Sequence, residues 1–228
     1  SGASLSNACR DGLLRHQPEL VVFDSLGSTE TSGYAVCTPE SGVFQPQPTT
    51  RVLDDELQPV EPGTDTIGMI YAGGYLPQGY YNAPEQTAET FVTVDGERMV
   101  RTGDRCTVRA DGMLQLLGRD STVVNTGGEK VYTVEVERVL LEHPAVDDVV
   151  VVGLPHPRFG KQVTAVIQPA GQAVLDNEAL QAYAREKLAD YKVPRKIYAI
   201  DSLCRAANGK PDYPFVVSYA ESRLAEEL

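Results

Sequence analysis

The sequence predicts an α+β protein in two parts, and three observations carry that reading. From Gly42 to about Val100, short apolar runs are interrupted again and again by Pro and Gly, the spacing of a small antiparallel barrel or sandwich. Asp111-Gly112 stands between the apolar runs at 106–108 and 113–117, the mark of a tight β-hairpin. After Ser121 the texture changes to longer elements that alternate between strand and helix patterns. The boundary is placed near residues 118–122, giving a first part of residues 1–118 and a compact α+β second part of residues 119–228, a normal domain size.

Taken in order, residues 5–16 read as a short helix with Leu5, Ala8, Cys9 and Leu13 facing in, and residues 20–23 as a buried strand. Residues 24–33 form a polar loop rich in Ser and Thr. Strands follow at 49–53, 66–71 and 98–100, with one short helix at 84–91, and then the Asp-Gly hairpin. A short strand-like piece at 122–124 leads to a bend at Gly127-Gly128, read as lying between a strand and a helix. The helix at 133–142 carries Val136, Val139 and Leu140 on one face, and His143-Pro144 stops it, because the residue before proline is biased away from helix. Strands at 148–152 and 163–168 come next. A helix at 177–189 turns Leu180, Tyr183, Ala184 and Leu188 inward. A strand at 196–200, a loop around Lys210 and a last helix from about Pro214 complete the chain.

Composition narrows the function. With 42% hydrophobic and 23% charged residues among 228, the chain is an ordinary globular protein. Its net charge of -12 argues against a nucleic-acid surface, which needs clustered Lys and Arg, but leaves room for a small anion held by a few local cations. No apolar run approaches the roughly 20 residues that span a bilayer. Four cysteines, Cys9, Cys37, Cys106 and Cys204, lie far apart with no C-x-x-C pair, so reduced thiols in a cytoplasmic protein are expected. The N-terminus lacks a basic-then-apolar leader and does not begin with Met, which is expected of a processed chain or a piece of a longer one. His16, His143 and His156 stand near no Ser or Cys nucleophile signature and read as loop or helix-end residues.

Four segments carry chemistry. They are Gly27-Ser28-Thr29-Glu30, then Arg101-Thr102-Gly103-Asp104, then the stretch from Arg119 to Glu137 with Gly127-Gly128-Glu129-Lys130 at its centre, and last Asn208-Gly209-Lys210-Pro211. Paired glycines let the backbone take positive φ and approach a ligand closely. Lys210 does not close a Walker loop, since Pro211 follows it and Cys204 stands where that motif needs Gly. In this order the four segments resemble the signature motifs of the adenylate-forming enzymes, the superfamily of acyl-CoA synthetases, non-ribosomal adenylation domains and beetle luciferases. The resemblance runs along essentially the whole chain.

What the resemblance implies is part of an ATP-dependent acyl-CoA ligase, joining a carboxylic acid to CoA through an acyl-adenylate, with ATP/AMP, Mg²⁺ and CoA as ligands. In that pattern Glu30 holds the magnesium, Thr29 contacts phosphate, and Ser25, Gly27 and Ser28 line the nucleotide and acyl pockets. Asp104 accepts both ribose hydroxyls, which suits a carboxylate because both its oxygens are acceptors. Arg119 reaches the ribose or phosphate, and Lys210 bridges the acyl carboxylate and the α-phosphate. Gly127, Gly128, Glu129 and Lys130, with Tyr132, resemble the loop that admits CoA in the second half-reaction. Ser121 takes the hinge position, usually Asp or Lys; Ser there is similar to some actinobacterial synthetases of fatty and steroid side-chain acids, which implies a fatty or bulky apolar acid as substrate. The family's early Ser/Thr/Gly-rich phosphate loop and its aromatic acyl-pocket motif do not occur in this sequence. The first part is therefore expected to be a remnant of the large N-terminal domain (helix, strand and small β-barrel-like part), followed by the whole mobile C-terminal domain. The chain alone is expected not to adenylate, and its 20–23 strand edge to drive homo-oligomer formation. Two other readings stay open: an acyl-AMP ligase that loads a carrier protein, and a non-catalytic module that binds nucleotide or a partner.

Overall fold

The Gly- and Pro-punctuated half of the chain folds as one open sheet. The computed structural model describes residues 7–38, 40 and 42–227, and side chains from residue 10 onward. Leu5 lies outside the described residues, as do the side chains of Ala8 and Cys9. Beyond its first eight residues the chain divides into two units, residues 9–120 and 121–228.

The first unit opens with α1 (Asn7–His16) and contains β1 (Ser25–Ser28), β2 (Thr31–Cys37), β3 (Val43–Pro46), β4 (Thr50–Leu53), β5 (Gly68–Ala72), α2 (Pro84–Thr90), β6 (Phe91–Val94), β7 (Glu97–Val108) and β8 (Leu114–Arg119). Among the described residues, eight strands form a sheet in the order β1-β2-β3-β8-β7-β5-β4, with β6 added on β7. The path runs from β1 to β4 without closing into a barrel. Alternation along β5 sends Ile70 and Ala72 to one apolar cluster, with Tyr34, Phe44 and Leu114, and Met69 and Tyr71 to another, with Leu53 and Met99. Both faces of β5 are therefore covered, and all five of its residues are buried.

Three expectations change here. Residues 20–23 are not a strand: Val21 is 84% exposed and Phe23 70%. The first ladder begins at Ser25, because the Ser/Thr-rich stretch read as loop folds back on itself, pairing Ser25 with Val36 and Leu26 with Ala35. The runs at 98–100 and 106–108 belong to one 12-residue strand, β7, since Gly103 bends that strand without breaking it.

The second unit contains β9 (Val124–Thr126), β10 (Glu129–Val131), α3 (Thr133–Leu141), β11 (Val146–His156), β12 (Gly160–Pro169), α4 (Asn177–Arg185), β13 (Lys196–Ala199) and α5 (Tyr213–Ala225). Its sheet runs β10-β9-β12-β11, with β13 parallel to β12. Strict alternation on β11 makes it the centre of two cores. Val149 and Val151 pack with Val136 and Leu140 of α3 and Leu180 of α4, while Val150, Val152 and Leu154 pack with Val216 and Ala220 of α5. Each fully buried Val or Leu contributes about 1.5–3 kcal/mol, so helices cover the sheet on both faces. Residues 120–122 form a 3-10 turn and the strand begins at Val124. Gly127-Gly128 joins two strands, not a strand and a helix: Thr126 pairs with Glu129, which leaves the two glycines as the whole loop.

Candidate functional site

On the first unit the site is made by an irregularity in β7. Met69 of β5 pairs with Arg105 while Tyr71 pairs with Arg101, so one residue of β5 faces three of β7. Gly103, at φ 81°, takes a backbone shape that other residues resist. Bulges of this kind re-aim side chains. Thr102 locks it: its hydroxyl donates to the Ile70 carbonyl at 2.8 Å and accepts the Asp104 N–H at 3.2 Å.

The result is a buried carboxylate, Asp104, only 5% exposed. The Tyr34 hydroxyl donates to Oδ2, and Arg119 Nε donates to Oδ1 at 3.0 Å from the directly opposite position on β8. Burial, then the Asp104 charge, push the Tyr34 hydroxyl far above its ordinary pKa, so it stays a donor. Arg119 is held more firmly protonated, chiefly by Asp104. Among the described residues each carboxylate oxygen has one protein donor, and a carboxylate oxygen has the capacity to accept a second.

Glu30 is the second central residue of the tight β1–β2 turn, with exposed Thr29 before it. The Tyr80 hydroxyl donates to the Glu30 carboxylate. That bond first, then Ser28 and the charge of Arg119, hold the carboxyl below its usual range against the opposing effect of burial. Glu30 is thus an ionised, half-buried carboxylate in the field of the same guanidinium that pairs with Asp104. Among the described residues no group of three or more His, Cys, Asp or Glu could hold a metal. A single ionised carboxylate nonetheless fits Mg²⁺, which commonly takes one or two carboxylates together with substrate phosphates.

The β1 residues serve the hairpin. Ser25 N–H donates to Asp24 Oδ1 at 2.9 Å, and the Ser28 and Thr31 hydroxyls lie 3.4 Å apart. A Cβ on Gly27 would stand 3.2 Å from the Ser32 carbonyl, so the strands approach closely there. Tyr34 escaped the sequence reading, and Tyr80 and Thr102, though they stand in recognisable segments, were given no role there. A buried Tyr needs a partner for its O–H, and Tyr34 is only 2% exposed, but the run 31–37 has no alternation that would mark it from sequence.

The second unit carries the other candidates. Gly127 and Gly128 have φ of 59° and 93°, both positive as a type I′ turn requires. Gly127 N–H donates to the Phe159 carbonyl at 3.0 Å, whereas nothing lies within 4 Å of where a Cβ on Gly128 would be. Glu129 and Lys130 are exposed beside them. Lys210, also exposed, sits in a tight loop: Ala206 N–H donates to its carbonyl at 3.0 Å, and its own N–H donates to Asn208 Oδ1 at 3.2 Å. Gly209, at φ 79°, makes that turn possible. Ser121 is the exposed residue after Asp120, whose carboxylate accepts from Arg105 Nε at 2.9 Å. Among the described residues no helix is long and apolar enough to cross a membrane.

Comparison with known proteins gives three findings. Residues 135–210 match the AMP-binding enzyme C-terminal domain. The whole chain is 40% identical to 43% of the medium/long-chain-fatty-acid–CoA/3-oxocholest-4-en-26-oate–CoA ligase of Mycolicibacterium smegmatis, and 40% identical to 42% of the 3-oxocholest-4-en-26-oate–CoA ligase of Rhodococcus rhodochrous. It therefore spans less than half the length of these relatives. Among solved structures, ATP-bound MatB from Rhodopseudomonas palustris superposes with a TM-score of 0.82 at 28% identity, over 96% of this chain and 44% of that one.

Proposed function

We propose, for a chain that belongs with the adenylate-forming acyl-CoA ligases and spans less than half of their length, that it supplies the nucleotide-holding and transfer residues of such an enzyme. The reaction is carboxylate + ATP + CoA to acyl-CoA + AMP + pyrophosphate, through an acyl-adenylate. The observation that carries this is the grouping of Glu30, Asp104 and Arg119 on one unit, linked by hydrogen bonds and charge. Ionised Glu30 holds Mg²⁺ against the ATP phosphates, with Thr29 beside it, while Asp104 accepts the ribose hydroxyls through its remaining lone pairs. Arg119 orients Asp104 and faces the ribose or phosphate. Ser25, Gly27 and Ser28 line the pocket. Lys210 would supply positive charge for the α-phosphate, and Mg²⁺ held by Glu30 would supply Lewis-acid stabilisation of the phosphates. Gly127, Gly128, Glu129 and Lys130 then admit the pantetheine arm of CoA, and Ser121 is the hinge between the two half-reactions.

The names of the relatives support a fatty or steroid-type acid as substrate. The setting is cytoplasmic, and the exposed Val21 and Phe23 favour self-association, which a monomer by light scattering at high micromolar concentration would exclude. Residues 1–118 are read as the remnant of the large domain and 119–228 as the mobile one; by itself the chain does not adenylate, because its sequence holds no phosphate loop. The test is acyl-CoA formation by the complete ligase from a panel of fatty and steroid acids. Asp104→Ala and Lys210→Ala should each abolish acyl-adenylate formation. Full activity in both variants would refute the site, and transfer to a carrier protein in preference to CoA would redirect the second half-reaction.

A further inference from the structure

We propose that Arg205 is a positioning residue for Lys210, clamped on Asp148 of β11 so that the loop at 205–210 presents the Lys210 ammonium in one place. The proposal rests on the reading of Lys210 as the adenylation lysine. Its basis is a fork of hydrogen bonds with two ends. At one end Arg205 Nε donates to Asp148 Oδ2 at 2.5 Å, and Nη2 donates to Oδ1 at 2.7 Å, the bidentate geometry that only a guanidinium can make. Nη2 also donates to the Val149 carbonyl at 3.3 Å. At the other end Nη1 donates to the carbonyl of Gly209 at 3.1 Å, the peptide that joins Gly209 to Lys210.

That last bond matters because the loop has little else to hold it. Ala206, Ala207 and Asn208 are exposed and bury no side chain. Among the described residues the backbone around Lys210 is fixed at four points: the Gly209 carbonyl on Arg205, the Gly209 N–H on the Ala206 carbonyl, the Lys210 N–H on Asn208, and the Lys210 carbonyl on the Ala206 N–H. The last three are local bonds that move with the loop. Among the described residues of 205–210, Arg205 is the one whose hydrogen bonds reach the sheet, through a strand whose Val149 and Val150 are fully buried. The pair is shielded as well, with side-chain exposures of 28% for Arg205 and 23% for Asp148, unlike a solvated surface pair. The charge of Arg205 also reaches the Glu137 carboxyl, which accepts the Val151 N–H at 2.8 Å two residues along β11.

Two measurements test this. In the 228-residue chain, NMR relaxation of the Gly209 and Lys210 amides should show order like that of β11 in the unaltered protein. Arg205→Lys and Asp148→Asn should loosen both amides without loosening β11 or α5. In the complete ligase, the same variants should slow acyl-adenylate formation by about a hundredfold, the scale of a misplacement near 1 Å. KM for ATP and the rate of thioester formation from supplied acyl-adenylate should stay unchanged. Arg205→Lys keeps the charge and loses the fork, so it should not rescue. Asp148→Asn keeps the packing and so serves if Arg205 variants fold poorly. Ordered amides together with unchanged adenylation in both variants would overturn the proposal. If Lys210→Ala itself leaves adenylation intact, it is the reading of Lys210 that fails.

Discussion

Glu137 shows how one buried group sets a pH dependence. The residue's stem is partly exposed, but its carboxyl is enclosed, and burial pushes its pKa from the usual 4.5 up to about 7. The Val151 N–H and Arg205 oppose that rise, and Asp148 adds to it. A raised carboxyl pKa means that the folded state holds the proton more tightly than the unfolded chain. This contribution to stability is whole below the unfolded value and is lost as pH climbs through about 7. At about 1.4 kcal/mol per factor of ten in proton affinity, the loss is on the order of 3 kcal/mol at most. Glu137→Gln can still accept from Val151 and should flatten urea-melt stability between about pH 5 and pH 8. Parallel curves for the two proteins would show that Glu137 does not titrate in this range. At this scale the sequence was legible only in part. Glu30, Asp104, Arg119 and Lys210 stand out in short motifs, but Tyr34 and Tyr80 work on partners 70 and 50 residues away, a distance no local pattern encodes.

At the scale of elements, periodicity served where an element buries one face or both in register. The helices α3 and α4 were readable for that reason, and α4 shows how its start is written. Asp176 caps it, its Oδ1 accepting from the N–H groups of Glu178 and Ala179 at 3.0 and 3.1 Å. Asp176→Ala should lower stability by about 1 kcal/mol, seen as a lower melting temperature with the same heat-induced spectral change. An unchanged melting temperature would mean that solvent replaces the cap. Readings failed where pairing decides. Residues 20–23 have strand composition but no partner ladder, and the Ser/Thr-rich run beyond them pairs because a tight turn closes it on itself. Gly103 looks like a break, yet it is the bend that turns Asp104 inward on a continuous strand.

Across the whole molecule, two units with separate cores divide the proposed work. The first holds Glu30, Asp104 and Arg119; the second holds Lys210 and the Gly127-Gly128 turn. The net charge of -12 does not oppose the anionic substrates of the proposed reaction, because the groups proposed to meet them are a few placed cations and the Mg²⁺ that Glu30 would hold. The texture change after Ser121 was visible because strands covered on both faces and amphipathic helices read differently from short Pro- and Gly-broken strands. The acyl pocket was not legible, since the aromatic motif that would line it is not in this sequence. Acid-dependent exchange of labelled pyrophosphate into ATP tests the central claim most directly, run on the 228-residue chain and on the complete ligase with fatty and steroid acids. Exchange by the complete ligase, its loss on Lys210→Ala, and no exchange by the chain alone are expected. Exchange by the chain alone, or none by the complete ligase with any acid of the panel, would contradict that claim.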